Sequence, residues 1–133
     1  MPTTNRAVLV VDDDSDNLDF LTDALSASYL VLRATNGAEA LQVAQRERPD
    51  VILLDVMMPG GKDGFSTFAE LQLDPRTRDI PVIMQTDVNR KSGLAFDAEI
   101  MGQQLGKAPH AFLQKPVSVK KLLSEVSTAL KRG

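Results

Sequence analysis

Short apolar runs alternate with stretches of helical period along the whole chain, and this alternation constrains the fold more than any other feature. Ala7-Val8-Leu9-Val10-Val11 is continuous and rich in β-branched residues, the pattern of a strand buried on both faces. Val51-Ile52-Leu53-Leu54 repeats that pattern and ends at Asp55. Tyr29 to Ala34, Val82 to Gln85 and Ala111 to Leu113 read as further strands, with Pro81 at a strand start where a missing N–H is tolerated. Between them, Leu18, Leu21 and Leu25 recur at i, i+3 and i+7, marking a helix with one buried stripe. Ala38, Leu41 and Ala44 line the next helix, which Pro49 stops. Phe65, Phe68 and Ala69 belong to a third helix, closed near Asp74-Pro75. A last helix starts at about Ser118 and carries Leu122, Val126 and Leu130 at four-residue steps, with Lys131 and Arg132 at the negative end of its dipole. Asp87 to Pro109 is the least regular segment, where a short helix with Ala98, Met101 and Leu105 is the most that the spacing supports. Strand–helix alternation of this kind implies right-handed crossovers and an α/β fold, a parallel sheet with helices on both faces.

The chain has 133 residues, which suits a single domain over 1–133 with no effector domain. Hydrophobic residues at 43% and charged residues at 25% place it among globular rather than disordered chains. Fifteen basic residues stand against eighteen acidic ones, for a net charge of −3, and no basic block points to a nucleic-acid or membrane partner. The absence of cysteine removes disulfide and thiolate chemistry. Met1 to Arg6 lacks a signal-peptide apolar core, and no apolar run is long enough to span a bilayer. The expected location is the cytoplasm.

In doubly wound parallel sheets, ligands bind beyond the carboxyl ends of the strands, where the strand order reverses. The residues at those ends are therefore the candidates for chemistry. They are Asp12 and Asp13 after strand one, Asp55 after strand three, Thr86 after strand four and Lys115 after strand five. If the strand order is 2-1-3-4-5, strands one and three are neighbours and three carboxylates converge. Two unit charges about 4 Å apart repel by roughly 4 kcal/mol at an effective dielectric near 20. Keeping three together calls for a cation, raised pKa values, or both. Lys115 is one cation; a divalent metal is the other, and an all-oxygen ligand set favours Mg²⁺. A carboxylate nucleophile, a metal and the donors Thr86 and Lys115 are the parts an aspartyl phosphate requires.

Four stretches in this order resemble the bacterial response-regulator receiver domain of the CheY-like family. They are VLVVDDD over Val8 to Asp14, DVMMP over Asp55 to Pro59 with Asp63-Gly64, PVIMQT over Pro81 to Thr86, and FLQKP over Phe112 to Pro116. The resemblance covers essentially the whole chain. It implies a flavodoxin-like (βα)5 three-layer sandwich with a parallel five-stranded sheet in the order 2-1-3-4-5. It also implies that Asp55 accepts a phosphoryl group from the phosphohistidine of a sensor histidine kinase or a phosphotransfer protein. Asp12, Asp13, Asp55 and the backbone carbonyl of Met57 would hold Mg²⁺. Thr86 and Lys115 would bind the phosphoryl group, and Phe112 would act with Thr86 as the switch. Output would run through a downstream protein target, with phosphorylation-dependent homodimerisation left open. Such a domain catalyses only its own phosphotransfer and dephosphorylation.

Simpler roles compete at several positions. Asp12 to Asp14 also suit helix capping, which is the role kept for Asp14. Phe112 suits plain core packing, and His110, the only histidine, suits a strand edge. Three departures from the family pattern stand out. The loop Pro59 to Gly64 is one residue longer than usual, Asp87 follows Thr86 where a small residue is usual, and the segment from Thr86 to Lys115 is lengthened and punctuated by Gly93, Gly102 and Gly106. The loop is expected to bulge locally with the site intact, while Asp87 and the lengthened segment keep a second reading in view, a receiver-like docking module that is not phosphorylated. A dehalogenase-type phosphatase would want an aspartate at Met57, and the P-loop motif is absent.

Overall fold

The computed structural model describes residues 6–55, 64–87, 111–115 and 117–132, with 64–65, 86–87, 111–112, 114–115 and 132 described through their backbone. In chain order the elements are β1 (Ala7–Val11), α1 (Ser15–Ser26), β2 (Leu30–Ala34), α2 (Gly37–Glu47), β3 (Val51–Asp55), α3 (Gly64–Leu73), β4 (Val82–Asp87), β5 (Ala111–Lys115) and α4 (Val119–Arg132). The strands form one five-stranded sheet in the order β2-β1-β3-β4-β5, with every neighbouring pair parallel. The parallel sheet and strand order expected from alternation and resemblance are thus present. Any helix within 88–110, the loop at Pro59 to Gly61 and His110 lie outside the described residues.

Continuous apolar strands are explained by burial on two sides. Leu9, Val11, Ile52, Leu54, Val82 and Met84 pack on one face against Ala40, Val43 and Ala44 of α2 and Phe68 and Leu71 of α3. Val8, Val10, Val51, Leu53 and Ile83 pack on the other face against the leucine stripe of α1 and against Leu122, Val126 and Ala129 of α4. Leu18, Leu21 and Leu25 are all buried, as their spacing predicts. Each contributes roughly 1.5–3 kcal/mol of hydrophobic stabilisation.

The structure moves several boundaries and one face. In α2 the buried stripe is Gly37, Ala40, Val43 and Ala44, while Ala38 is exposed and Leu41 only half-buried. The helix begins at Gly37 because Asn36 caps it, its side chain accepting from the Glu39 N–H at 2.8 Å. The inward face is the one that packs on the sheet, and of the three residues expected to line it only Ala44 is fully buried. At the other end Arg48 closes α2 in the left-handed region at φ 47°, its N–H bonding the Ala44 carbonyl, just before Pro49. β4 continues to Asp87, beyond the apolar run ending at Gln85, because Thr86 and Asp87 still pair with Gln114 and Lys115 of β5. Ladder pairing is a backbone property and does not need an apolar side chain.

Candidate functional site at the carboxyl edge of the sheet

Strand parity explains which side chains meet. Val10, Leu53 and Ile83 belong to the core under α1 and α4. Side chains two residues further on share that face, so Asp12, Asp55 and Gln85 follow on the α1 side. Asp55 and Gln85 are direct register partners across β3 and β4. Carboxylate oxygens of Asp12, Asp13 and Asp55 all lie within 4.8 Å of one another. Asp12 and Asp55 are buried, at 0% and 3% exposure, and Asp13 is exposed.

Each member of this edge is placed by local structure. The Asp12 N–H bonds the Ala34 carbonyl at 3.1 Å, extending the β1–β2 ladder one step past β1. The Asp12 Oδ1 accepts from the Asp14 N–H at 2.9 Å, an Asx turn that redirects the chain into α1. Asp14 is the N-cap, its Oδ1 accepting from the Asp16 N–H at 3.0 Å. The division made from sequence therefore holds at Asp14, which caps while its neighbours face the cluster.

Asp12 has a further partner that the strand-end reasoning missed. The Nδ2 amide of Asn17, in the first turn of α1, donates to Asp12 Oδ2. The same amide lies 3.4 Å from Oε1 of Gln85, which is fully buried. Gln85 carried a signal in retrospect, being the one polar residue inside the run VIMQ. Nothing in the spacing of Asn17 distinguished it from a solvent-facing helix residue.

Three carboxylates this close, two of them buried, form an acidic cluster with oxygen donors only. Such a set suits a hard divalent cation, which would offset the mutual repulsion. The other sequence candidates are located by backbone. Thr86 and Lys115 lie at the carboxyl ends of β4 and β5, with Thr86 opposite Gln114 and Lys115 opposite Asp87. Phe112 lies in β5 opposite Met84. Met57 lies outside the described residues.

The class this describes is a doubly wound α/β domain with an acidic cluster at the carboxyl edge of its central strands. The chain belongs to the response regulator receiver domain family, which matches residues 8–127. It is 41% identical over 120 residues to the response regulator PleD of Caulobacter vibrioides, a match covering 90% of this chain but 25% of PleD. The chain thus spans about a quarter of the length of that relative. It is 32% identical to the polar-differentiation response regulator DivK of Brucella anthropi, over 94% of this chain and 96% of DivK. Among solved structures, a putative response regulator from Chloroflexus aurantiacus superposes with a TM-score of 0.81 at 31% identity, over 96% of this chain and 99% of that one. The protein is a receiver of two-component signal transduction. Among the described residues, no helix is long and apolar enough to cross a membrane.

Proposed function

We propose that Asp55 is the phosphoryl acceptor and that Asp12, Asp13 and Asp55, with the backbone carbonyl of Met57, hold the Mg²⁺ that the reaction needs. The observation that carries this reading is the convergence of the three carboxylates within 4.8 Å at the carboxyl edge of β1 and β3. A carboxylate oxygen of Asp55 attacks phosphorus on a phosphohistidine, the P–N bond breaks and the imidazole leaves. Bound Mg²⁺ supplies positive charge against the phosphoryl oxygens and the acidic cluster. Thr86 and Lys115 bind the transferred group, and Phe112 changes position with Thr86 as the switch. Beyond this self-modification the chain is not an enzyme, and its 133 residues work as one receiver unit in the cytoplasm. The donor is a sensor histidine kinase or a phosphotransfer protein, and the phosphorylated surface binds a downstream protein.

The test is intact mass after incubation with acetyl phosphate and Mg²⁺. The expected result is an adduct of one phosphoryl group, abolished in Asp55→Asn and blocked by EDTA. A folded wild type without the adduct would instead support the non-phosphorylated docking module.

A further inference from the structure

Gln85 is the anomaly in the core. It is fully buried in a central strand, and its Nε2 has no hydrogen-bond partner among the described residues. A buried donor left without a partner is destabilising, and an apolar residue of similar volume would avoid that cost. Its Oε1 lies 3.4 Å from Asn17 Nδ2, and Asn17 in turn donates to Asp12. The two amides therefore link β4 to the carboxylate that ends β1, passing over β3, where Asp55 is level with Gln85.

We infer that Asn17 and Gln85 are positioning residues for the acidic edge, Asn17 orienting the Asp12 carboxylate and Gln85 orienting Asn17. The inference rests on the metal role assigned to Asp12 above. Asp12 has one oxygen held by the Asp14 N–H and the other held by Asn17. Its rotamer is thereby restricted before any cation arrives, which reduces the ordering needed on binding. Partners in this outer position commonly change metal affinity by about 10–100-fold when removed. The chain of contacts also sets an order of importance. Asn17 acts on Asp12 directly, and Gln85 acts only through Asn17.

Mg²⁺ affinity of the full chain, measured by titration calorimetry alongside urea unfolding, tests this without reference to phosphorylation. Asn17→Ala is expected to weaken Mg²⁺ binding about tenfold. Gln85→Leu is expected to weaken it less, about threefold, while the urea midpoint holds or rises because the unmet donor is gone. The double variant should bind no more weakly than Asn17→Ala alone, since the two act in series. Affinities within about twofold of wild type in the folded single variants, or additive losses in the double, would overturn the inference. Should Asn17→Ala fail to fold, Gln85→Leu decides alone, because an apolar replacement suits that buried site. A wild type that itself binds no Mg²⁺ overturns the metal reading and this inference with it, and is distinguished by the silence of the unmutated chain.

Discussion

Asn17 donates its side-chain amide to the Asp12 carboxylate, so the first helix reaches back onto the acidic edge that the chain has just left. Asp12 is fully buried, and a buried carboxylate is tolerable only when its oxygens find donors. Here a turn N–H and a helix amide provide them. The consequence is a carboxylate fixed in place before any cation approaches. The neighbouring carboxylates of Asp13 and Asp55 complete a compact acidic cluster around it.

The first prediction concerns the cost of that cluster. Asp13 is the exposed member of the cluster, with an oxygen within 4.8 Å of its two partners. At such separations each like-charge pair repels by roughly 1 kcal/mol in water and more near low-dielectric walls. In EDTA, Asp13→Asn should be more stable than wild type by about 1 kcal/mol in urea unfolding. With Mg²⁺ present the order should reverse, because wild type gains stability by mass action and the variant does not. An unchanged order in both conditions would count against a cation site.

Asp14 separates capping from metal binding. Its side chain accepts from the Asp16 N–H at the start of α1 and takes no part in the carboxylate cluster. Asp14→Ala should cost about 1 kcal/mol of stability. Its Mg²⁺ affinity, read by calorimetry, should stay near that of wild type, in contrast to Asp12→Ala.

Phe68 tests the layer beneath the sheet. It is 1% exposed and packs from α3 into the cluster containing Leu54 and Met84. Phe68→Ala should lose roughly 3–5 kcal/mol of unfolding free energy, measured with urea. A loss below about 1 kcal/mol would mean that α3 repacks over the sheet without its aromatic anchor.

Asp74 provides the pH dependence. Side-chain hydrogen bonds from Arg76, then its backbone N–H, hold the Asp74 carboxyl below the ordinary carboxylate range. Arg76 Nη2 lies 3.0 Å from Asp74 Oδ2, and Gln45 Nε2 from α2 lies 2.8 Å from the same oxygen. A folded-state pKa below the unfolded one gives stability that is present above the unfolded pKa and lost as pH falls through the folded pKa. Asp74→Asn should therefore unfold at lower urea than wild type near neutrality. The gap should close as pH drops through the carboxylate range.

Much of the molecule was legible before folding because its signals are local. Buried parallel strands are written as unbroken runs such as Val51 to Leu54, and α1 is written as three leucines at helical spacing. Once those elements alternate, handedness places Asp12, Asp13 and Asp55 on one edge, and the folded chain brings them together there. What tertiary structure alone decided is non-periodic. The extension of β4 to Asp87 comes from backbone pairing with β5, and the exposure of Ala38 comes from α2 packing on the sheet through Ala40, Val43 and Ala44. The link from Asp12 through Asn17 to Gln85 joins residues 68 positions apart at its longer step. Hydrogen bonds of that kind leave no period in a sequence, because they depend on where the folded chain sets α1 against the sheet and not on any neighbour along the chain.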